Sequence, residues 1–266
     1  MILRLPRGYQ RLTGISPLAV AHDSVAPAVR EILAHGTLFE WARDHRERWE
    51  YRGRGPVYSA PLPGGPRVVV RHARRGGLLA PILRDLYLPP TPAPAELLIS
   101  AILTQVGVPT PPLLGFATYR AAGLLRRADV ITVEVDGRDL AATLSDADPP
   151  TRRALALTVA TLIGALTDAG AWHQDLNAKN ILITQRADGS RLAVVLDVDR
   201  VRFTPGGDPH VRDANLDRLR RSIEKARAAG AVTFSADDWD ALRTRVLADE
   251  ETRRAEREAH PVDILA

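Results

Sequence analysis

The sequence predicts an α+β protein of two lobes, a smaller strand-rich lobe followed by a larger, mainly helical one. Three observations carry this prediction. Strand-like and turn-rich segments surround one strong helix in the first half, and apolar-periodic helices dominate the second half. A strand and a turn join the two near residues 134–138. We therefore place the lobes at residues 1–134 and 135–266, with residues 1–50 poorly defined.

Composition narrows the class of protein. Of the 266 residues, 45% are hydrophobic and 26% are charged, which is typical of a globular chain. The absence of cysteine excludes a disulfide scaffold, cysteine-ligated zinc and thiol catalysis. The net charge of +4 favours anionic partners. No signal peptide is recognisable in MILRLPRGYQRL, and the uncharged stretch 154–167 is too short to span a bilayer, so we expect a cytoplasmic protein.

In the first lobe, helices are expected within 25–36 and 37–49, with weak periodicity. Residues 52–72 contain PLPGGP between β-branched segments, which predicts two antiparallel strands with a Gly-rich entry. Residues 95–106 have apolar side chains on one helical face, followed by Gly and Pro, which is typical of a helix and its C-terminus. Residues 131–135 are predicted to form a strand.

The second lobe begins with a turn into a short helix in DGRDLAATL. Asp148 and Pro149 predict the start of a long helix that ends near Gly170. A β-hairpin and two amphipathic helices are expected after it, at 181–197, 215–225 and 235–247.

The stretch AWHQDLNAKNILI, residues 171–183, concentrates polar side chains between two apolar elements. A connection between a helix and a strand needs one or two polar residues, and this one has five: His173, Asp175, Asn177, Lys179 and Asn180. The number of hydrogen-bonding groups indicates a chemical role for the loop.

The predicted hairpin would bring Asp197, at the end of its second strand, back beside Asp175 and Asn180. Two carboxylates and an amide oxygen form a hard-oxygen site suited to Mg²⁺ with a bound phosphate. One of the carboxylates could instead accept a proton from an attacking hydroxyl.

The same spacing resembles the catalytic loop of protein kinases, H-R-D-x-x-x-x-N followed by D-F-G. His173, Asp175 and Asn180 match the loop, with Gln174 at the Arg position, and LDVDR places Asp197 at the metal-binding Asp. Because the Arg that pairs with an activation-loop phosphate is absent and no APE-like segment follows, a small-molecule kinase fits better than a protein kinase.

The kinase template also predicts a phosphate clamp in the first lobe. Gly53 and Gly55 in RGRGP would form the Gly-rich loop. Arg71, at the end of RVVVR, occupies the position of the strand lysine, and Glu96 opens the helix that would carry its partner. Arginine can pair with both glutamate and phosphate, although as a planar fork rather than a point charge.

Five segments between residues 53 and 242 are similar to those of the 3-deoxy-D-manno-octulosonic acid (Kdo) kinases, within the lipopolysaccharide core kinase family: RHARRGGL, AELLISAILTQVGVPTPPLLG, HQDLNAKNIL, LDVDR and NLDRLRRSIEK. The first and last of these are the most specific, because general kinases lack them. Arginine at the lysine position is normal in this family.

The resemblance implies ATP- and Mg²⁺-dependent phosphorylation of a Kdo hydroxyl, the 4-hydroxyl, on a lipid A precursor at the cytoplasmic face of the inner membrane. It implies a peripheral membrane contact, an anionic glycolipid substrate, no nucleic acid and no protein partner. A basic cluster near the phosphate site agrees with such a substrate: Arg71, Arg74, Arg75, Arg84, Arg126 and Arg127.

The implied roles are specific. Asp175 is the catalytic base, and Asn180 and Asp197 bind Mg²⁺. Arg71, held by Glu96, and the Gly53 and Gly55 loop contact the phosphates. The backbone groups of Glu134 and Val135 face the adenine.

Three alternatives remain at the level of sequence. The acceptor could be another glycolipid sugar such as a core heptose, or the chain could be a nucleotide-binding scaffold without catalysis. A nucleic-acid-binding protein is supported only by the positive charge, because aromatic content is 5% and no recognition motif is present.

Overall fold

The computed structural model describes residues 4–51, 55–73 and 85–259, with side chains up to residue 252. The chain divides into two units. The first contains residues up to 102 together with 111–135, and the second contains 103–110 and everything from 136 onward. The predicted lobe boundary after residue 134 stays a prediction.

An antiparallel sheet of seven strands forms the first unit, in the order β1-β2-β6-β7-β5-β4-β3. Its strands are β1 (Tyr9–Arg11), β2 (Leu18–His22), β3 (Trp49–Tyr51), β4 (Val57–Pro61), β5 (Arg67–His72), β6 (Leu113–Arg120) and β7 (Arg126–Val133). Its helices are α1 (Ala26–His35), α2 (Leu38–Asp44) and most of α3 (Ala93–Gln105).

The two faces of this sheet are covered by different helices. Helices α1 and α2 share one hydrophobic core with Val68 and Val70 of β5, while Ala93 and Leu97 of α3 belong to a second core. Side chains alternate between the faces of a strand. Arg71 therefore lies on the face opposite Val70, the face that α3 covers.

A buried carboxylate fixes α2 on the sheet. Asp129 of β7 is fully buried, and its Oδ2 accepts the Phe39 amide of α2 at 3.0 Å. Its Oδ1 lies 2.6 Å from Nδ1 of His72, whose ring stacks on Phe39 at 3.8 Å. These contacts fix β5 at His72, the residue next to Arg71.

The second unit is mainly helical, with α4 (Leu140–Ser145), α5 (Pro149–Asp168), α6 (Pro209–Ala228) and α7 (Ala236–Ala259). Its short strands form two small sheets, β11-β10-β8 and β12-β9. They are β8 (Arg138–Asp139), β9 (Ala171–His173), β10 (Ile181–Gln185), β11 (Arg191–Val195) and β12 (Val201–Phe203).

Helix α5 is the central element of this unit. Asp148 caps its first turn by accepting the Thr151 amide at 2.8 Å, and Pro149 occupies the first helical position, as predicted. Most of its apolar residues are buried, Leu157 being an exception, and it packs on α6 and α7. Gly170 follows with φ of 62°, a left-handed conformation that suits glycine and turns the chain into β9.

Several predicted elements differ from the structure. Residues 1–50, expected to be poorly defined, contain β1 and β2, while the helices expected within 25–36 and 37–49 are present as α1 and α2. The helix expected at 95–106 spans Ala93–Gln105, and the strand expected at 131–135 is the end of the longer β7. Strand β6 was not predicted, because a central strand buried on both faces has a continuous apolar sequence without alternation.

Among the described residues, no helix combines the length and apolar character needed to cross a membrane.

Candidate active site

The catalytic loop lies between β9 and β10, and His173 is its buried anchor. The His173 side chain is fully buried; its Nε2 donates to the Leu196 carbonyl at 3.0 Å, and its Nδ1 accepts the Asp175 amide at 3.2 Å. Both bonds require the neutral tautomer with the proton on Nε2. One ring thus joins the start of the loop to the end of the following hairpin.

Burial keeps this ring neutral. Removal from water lowers the pKa of His173 below its ordinary value of 6.5, although the nearby carboxylates of Asp197, Asp175 and Asp199 act in the opposite direction.

The two asparagines of the loop hold its backbone. Asn177 caps the 3-10 turn at residues 178–180 by accepting the Lys179 and Asn180 amides at 3.0 and 3.2 Å. Nδ2 of Asn177 and Nδ2 of Asn180 both donate to the Asp175 carbonyl, at 3.0 and 2.9 Å. Among the described residues, none donates a hydrogen bond to Oδ1 of Asn180, so this oxygen remains available as a ligand.

The predicted hairpin forms and returns Asp197 to the loop. β10 and β11 pair in register from Ile181 with Val195 to Gln185 with Arg191, and the Leu196 amide then donates to the Asn180 carbonyl at 2.8 Å. Asp197 follows with φ of 58°, the only positive-φ residue other than glycine in the described chain. Such a conformation costs energy in a non-glycine residue and is concentrated at functional sites.

The donor set formed by Asn180 and Asp197 fits Mg²⁺. One amide oxygen and one carboxylate are hard ligands, and Mg²⁺ commonly takes one or two protein carboxylates and completes its shell with water and substrate phosphates. The described residues contain no group of three or more His, Cys, Asp or Glu that could hold a metal alone. The set therefore suits a metal that arrives with a nucleotide.

Helix α6 supports the loop with three side chains that sequence analysis did not assign. Oδ1 of Asn215 accepts the His173 amide at 3.0 Å and its Nδ2 donates to the Ala171 carbonyl at 3.0 Å. Oγ of Ser222 accepts the Ala178 amide at 3.1 Å. Arg218 Nη2 lies 2.5 Å from Oδ1 of Asp175. The signal was present in NLDRLRRSIEK, where these residues are three and four positions apart on one helical face.

In the first unit, Arg71 and Glu96 form the predicted ion pair. Nη2 of Arg71 lies 2.5 Å from Oε1 of Glu96. The Glu96 side chain is 4% exposed, while that of Arg71 is 24% exposed. The buried carboxylate thus holds a guanidinium that still reaches solvent, as a phosphate-binding group must.

The Gly-rich segment connects β3 to β4, which pair through Tyr51 and Val57. Gly55 lies in this connection as a bend, and Gly53 lies outside the described residues. Of the predicted basic cluster, Arg74, Arg75 and Arg84 also lie outside the described residues.

The two remaining members of that cluster occupy β7. Arg126 Nη1 donates to the Leu125 carbonyl at 3.0 Å, and Arg127 Nε lies 2.5 Å from Oδ2 of Asp85. Arg127 is therefore partly neutralised by a carboxylate.

Glu134 and Val135 follow β7 directly. The Glu134 amide donates to the Arg67 carbonyl at 3.0 Å, so only its carbonyl can face an adenine. Its carboxylate accepts from Tyr51 and from Arg67, the latter at 2.9 Å. Burial acts to raise the pKa of Glu134, but these hydrogen bonds outweigh it and lower that pKa.

Comparison with known proteins gives a consistent result. The model of the lipopolysaccharide kinase (Kdo/WaaP) family matches residues 41–245. A 3-deoxy-D-manno-octulosonic acid kinase of Haemophilus influenzae strain PittEE is 30% identical over 207 residues, 75% of this chain and 84% of that protein. The protein of the same name from Actinobacillus succinogenes is 32% identical over 212 residues, 76% of this chain and 85% of that protein.

A solved structure of WaaP in complex with acyl carrier protein matches with a TM-score of 0.53. It is 17% identical and covers 86% of this chain and 90% of that one, which establishes the fold. The predicted α+β, protein-kinase-like fold class is confirmed, and so is the family resemblance. The chain belongs to the lipopolysaccharide kinase (Kdo/WaaP) family and is a phosphotransferase that acts on a sugar.

Proposed function

We propose that the protein transfers the γ-phosphate of ATP to a Kdo hydroxyl, the 4-hydroxyl, of a Kdo-bearing lipid A precursor. The observation that carries the proposal is the set of hydrogen bonds by which His173 and Asn180 join the backbone at Asp175 to the backbone at Leu196, the residue before Asp197. The identity of the acceptor sugar is inferred from the relatives that are named Kdo kinases.

Asp175 is the proposed catalytic base. Its backbone is fixed by His173, Asn177 and Asn180, so its carboxylate has a defined position from which to orient the acceptor hydroxyl and accept its proton. Phosphoryl transfer needs little covalent chemistry from the protein, and positioning with electrostatic stabilisation supplies most of the rate enhancement.

Asn180 and Asp197 are the proposed Mg²⁺ ligands. The ion, when bound with ATP, neutralises charge on the phosphate oxygens. The hydrogen bond from the Leu196 amide to the Asn180 carbonyl supports this assignment, because it brings the backbone just before Asp197 next to Asn180.

In residues 1–134, the proposed N-lobe, Arg71 binds phosphate oxygens while Glu96 fixes its guanidinium. Gly53 and Gly55 cover the phosphates, and the Glu134 carbonyl with the Val135 backbone contacts the adenine. Residues 135–266 form the proposed C-lobe, which carries the base and the metal ligands.

The proposed substrate is an anionic glycolipid. Because that substrate lies in the membrane, we propose that the protein is peripheral at the cytoplasmic face of the inner membrane. Net charge of +4 is consistent with this location.

The decisive experiment measures transfer of labelled γ-phosphate from Mg·ATP to a Kdo-bearing lipid A precursor. We expect transfer by the wild type and a loss of about 100-fold or more in Asp175→Ala, with ATP binding retained. Asp217→Ala, which removes an exposed carboxylate from α6, is the matched control and should leave the rate unchanged.

Two outcomes would contradict the proposal. Turnover near the wild-type level in Asp175→Ala would exclude this residue as the base. Transfer to a heptose-bearing acceptor, but not to the Kdo-bearing one, would favour the core heptose alternative. Location of the phosphate by NMR of the product tests the 4-hydroxyl.

A further inference from the structure

One face of α6 holds the catalytic loop at three successive points. Asn215 bonds to the backbone at the entry of the loop, and Ser222 bonds to the backbone of its 3-10 turn. Arg218 lies between them on the same face and contacts the Asp175 side chain. Two of the three residues thus hold main chain, and the third holds the carboxylate of the proposed base.

The contact divides the two oxygens of Asp175. Nη2 of Arg218 lies 2.5 Å from Oδ1. Among the described residues, none donates a hydrogen bond to Oδ2. A carboxylate held through one oxygen leaves its other oxygen able to accept a proton from a hydroxyl.

Stability alone gives little reason for this ion pair. The side chains are 37% and 25% exposed, and ion pairs that are partly open to water contribute little to folding. Nε of Arg218 is buried and has no hydrogen-bond partner among the described residues, which is unfavourable. Folding stability therefore does not explain this long side chain with its unsatisfied donor, and its contact with the Asp175 carboxylate offers another reason for it.

We infer that Arg218 is a positioning residue for phosphoryl transfer: it holds Oδ1 of Asp175 so that Oδ2 meets the acceptor hydroxyl. This inference rests on the proposed function of Asp175. The planar guanidinium fixes an orientation that a lysine ammonium, a point charge on a flexible stem, cannot reproduce.

The test compares Arg218→Ala and Arg218→Lys with Arg220→Ala, which removes an exposed arginine of the same helix that pairs only with Asp217 and Glu224 among the described residues. Misplacing a reacting group can cost about 100-fold in rate, so we expect kcat to fall by about 10- to 100-fold in Arg218→Ala. We expect a smaller fall in Arg218→Lys and none in Arg220→Ala.

Two further readouts separate positioning from a general effect on structure. KM for ATP should stay within about two-fold, because Arg218 acts on the base and not on the nucleotide. Added guanidinium at millimolar concentration should restore part of the rate in Arg218→Ala and none in Asp175→Ala. Thermal unfolding measured in parallel shows whether each variant is folded, and Arg218→Lys carries the test if the alanine variant is not.

The result that overturns the inference is a kcat within about three-fold of wild type in folded Arg218→Ala. Where Arg218→Ala is not folded, a kcat of folded Arg218→Lys equal to the wild-type value overturns it instead. The same variants are also assayed for slow hydrolysis of Mg·ATP, in which water is the acceptor. This assay allows the variants to be compared even if the sugar tested is not a substrate. A wild type that turns over neither acceptor refutes the proposed function, and with it the role of Arg218; an active wild type with unaffected variants refutes the role of Arg218 alone.

Discussion

Removal of either partner of the Arg71–Glu96 pair should destabilise the protein, and by unequal amounts. Breaking a buried ion pair costs about 3–5 kcal/mol because one charge is left without its partner. In Arg71→Met the remaining charge is on Glu96, only 4% exposed, so we expect the larger loss, about 3–5 kcal/mol. In Glu96→Leu the remaining guanidinium is 24% exposed and partly hydrated, so we expect about 2–3 kcal/mol.

The double variant Arg71→Met/Glu96→Leu removes both charges and should recover most of the stability, to within about 1.5 kcal/mol of wild type. Urea unfolding of all four proteins gives the free energies of unfolding. Losses that add to within about 0.5 kcal/mol would refute the reasoning, since additivity means that the two side chains do not interact. Phosphotransfer should be abolished in the double variant even though its stability is recovered. Such a result separates the proposed phosphate contact of Arg71 from its contribution to stability.

Three further predictions concern the second unit. Because burial lowers the pKa of His173, the unfolded chain takes up a proton below pH ~6.5 that the folded chain does not. The free energy of unfolding should therefore fall by up to about 1.4 kcal/mol for each pH unit below that pH. Urea unfolding at several pH values should show a weaker pH dependence in His173→Gln. Asn215→Ala leaves a buried amide and a buried carbonyl unsatisfied, so we expect a loss of about 2–4 kcal/mol in urea unfolding, and a loss below about 1 kcal/mol would argue against its role as an anchor. In Gly170→Ala, where φ is 62°, the new Cβ would lie 2.0 Å from the Thr204 carbonyl oxygen. In Gly230→Ala, where φ is 70°, nothing lies within 4 Å of the new Cβ, and only about 1–2 kcal/mol of backbone strain is expected. Thermal unfolding should therefore show a much larger loss of stability in Gly170→Ala than in Gly230→Ala. Equal losses at the two glycines would show that the close contact at Gly170 is relieved.

Sequence patterns predicted the elements that have strong local signals. The capping residues of α5, the Asp-Gly turn between β10 and β11 and the PLPGGP turn between β4 and β5 each depend on a few adjacent residues, and all three are present. Strand β6 has no such signal, because both of its faces are buried and its apolar residues do not alternate. The small strand β2 pairs with β6, about 100 positions away, and β1 pairs with β2; local propensity does not report such pairing.

The candidate site was predicted to the extent that its residues lie in motifs. Arg71 and Glu96 are far apart in sequence, but each has a fixed place relative to its own strand or helix, and the structure pairs them. The backbone groups of Glu134 and Val135 were expected to face the adenine, and the Glu134 amide is already bonded to Arg67, because strand pairing continues one residue beyond β7. The roles of Asn215, Arg218 and Ser222 depend on which face of α6 meets the loop, which periodicity alone does not determine.

The five polar residues of the catalytic loop divide into those that hold the loop and those left for chemistry. His173 and Asn177 direct their hydrogen bonds to main-chain groups, and Asn180 uses its amide nitrogen in the same way. These bonds satisfy the buried backbone of a connection that has neither helix nor sheet to do so. One side-chain oxygen of Asp175 and one of Asn180 accept no hydrogen bond from the described residues, and the surrounding bonds hold both residues in place. The high polarity of the loop is therefore mainly a requirement for rigidity, and the chemistry needs only the few atoms that this rigidity positions.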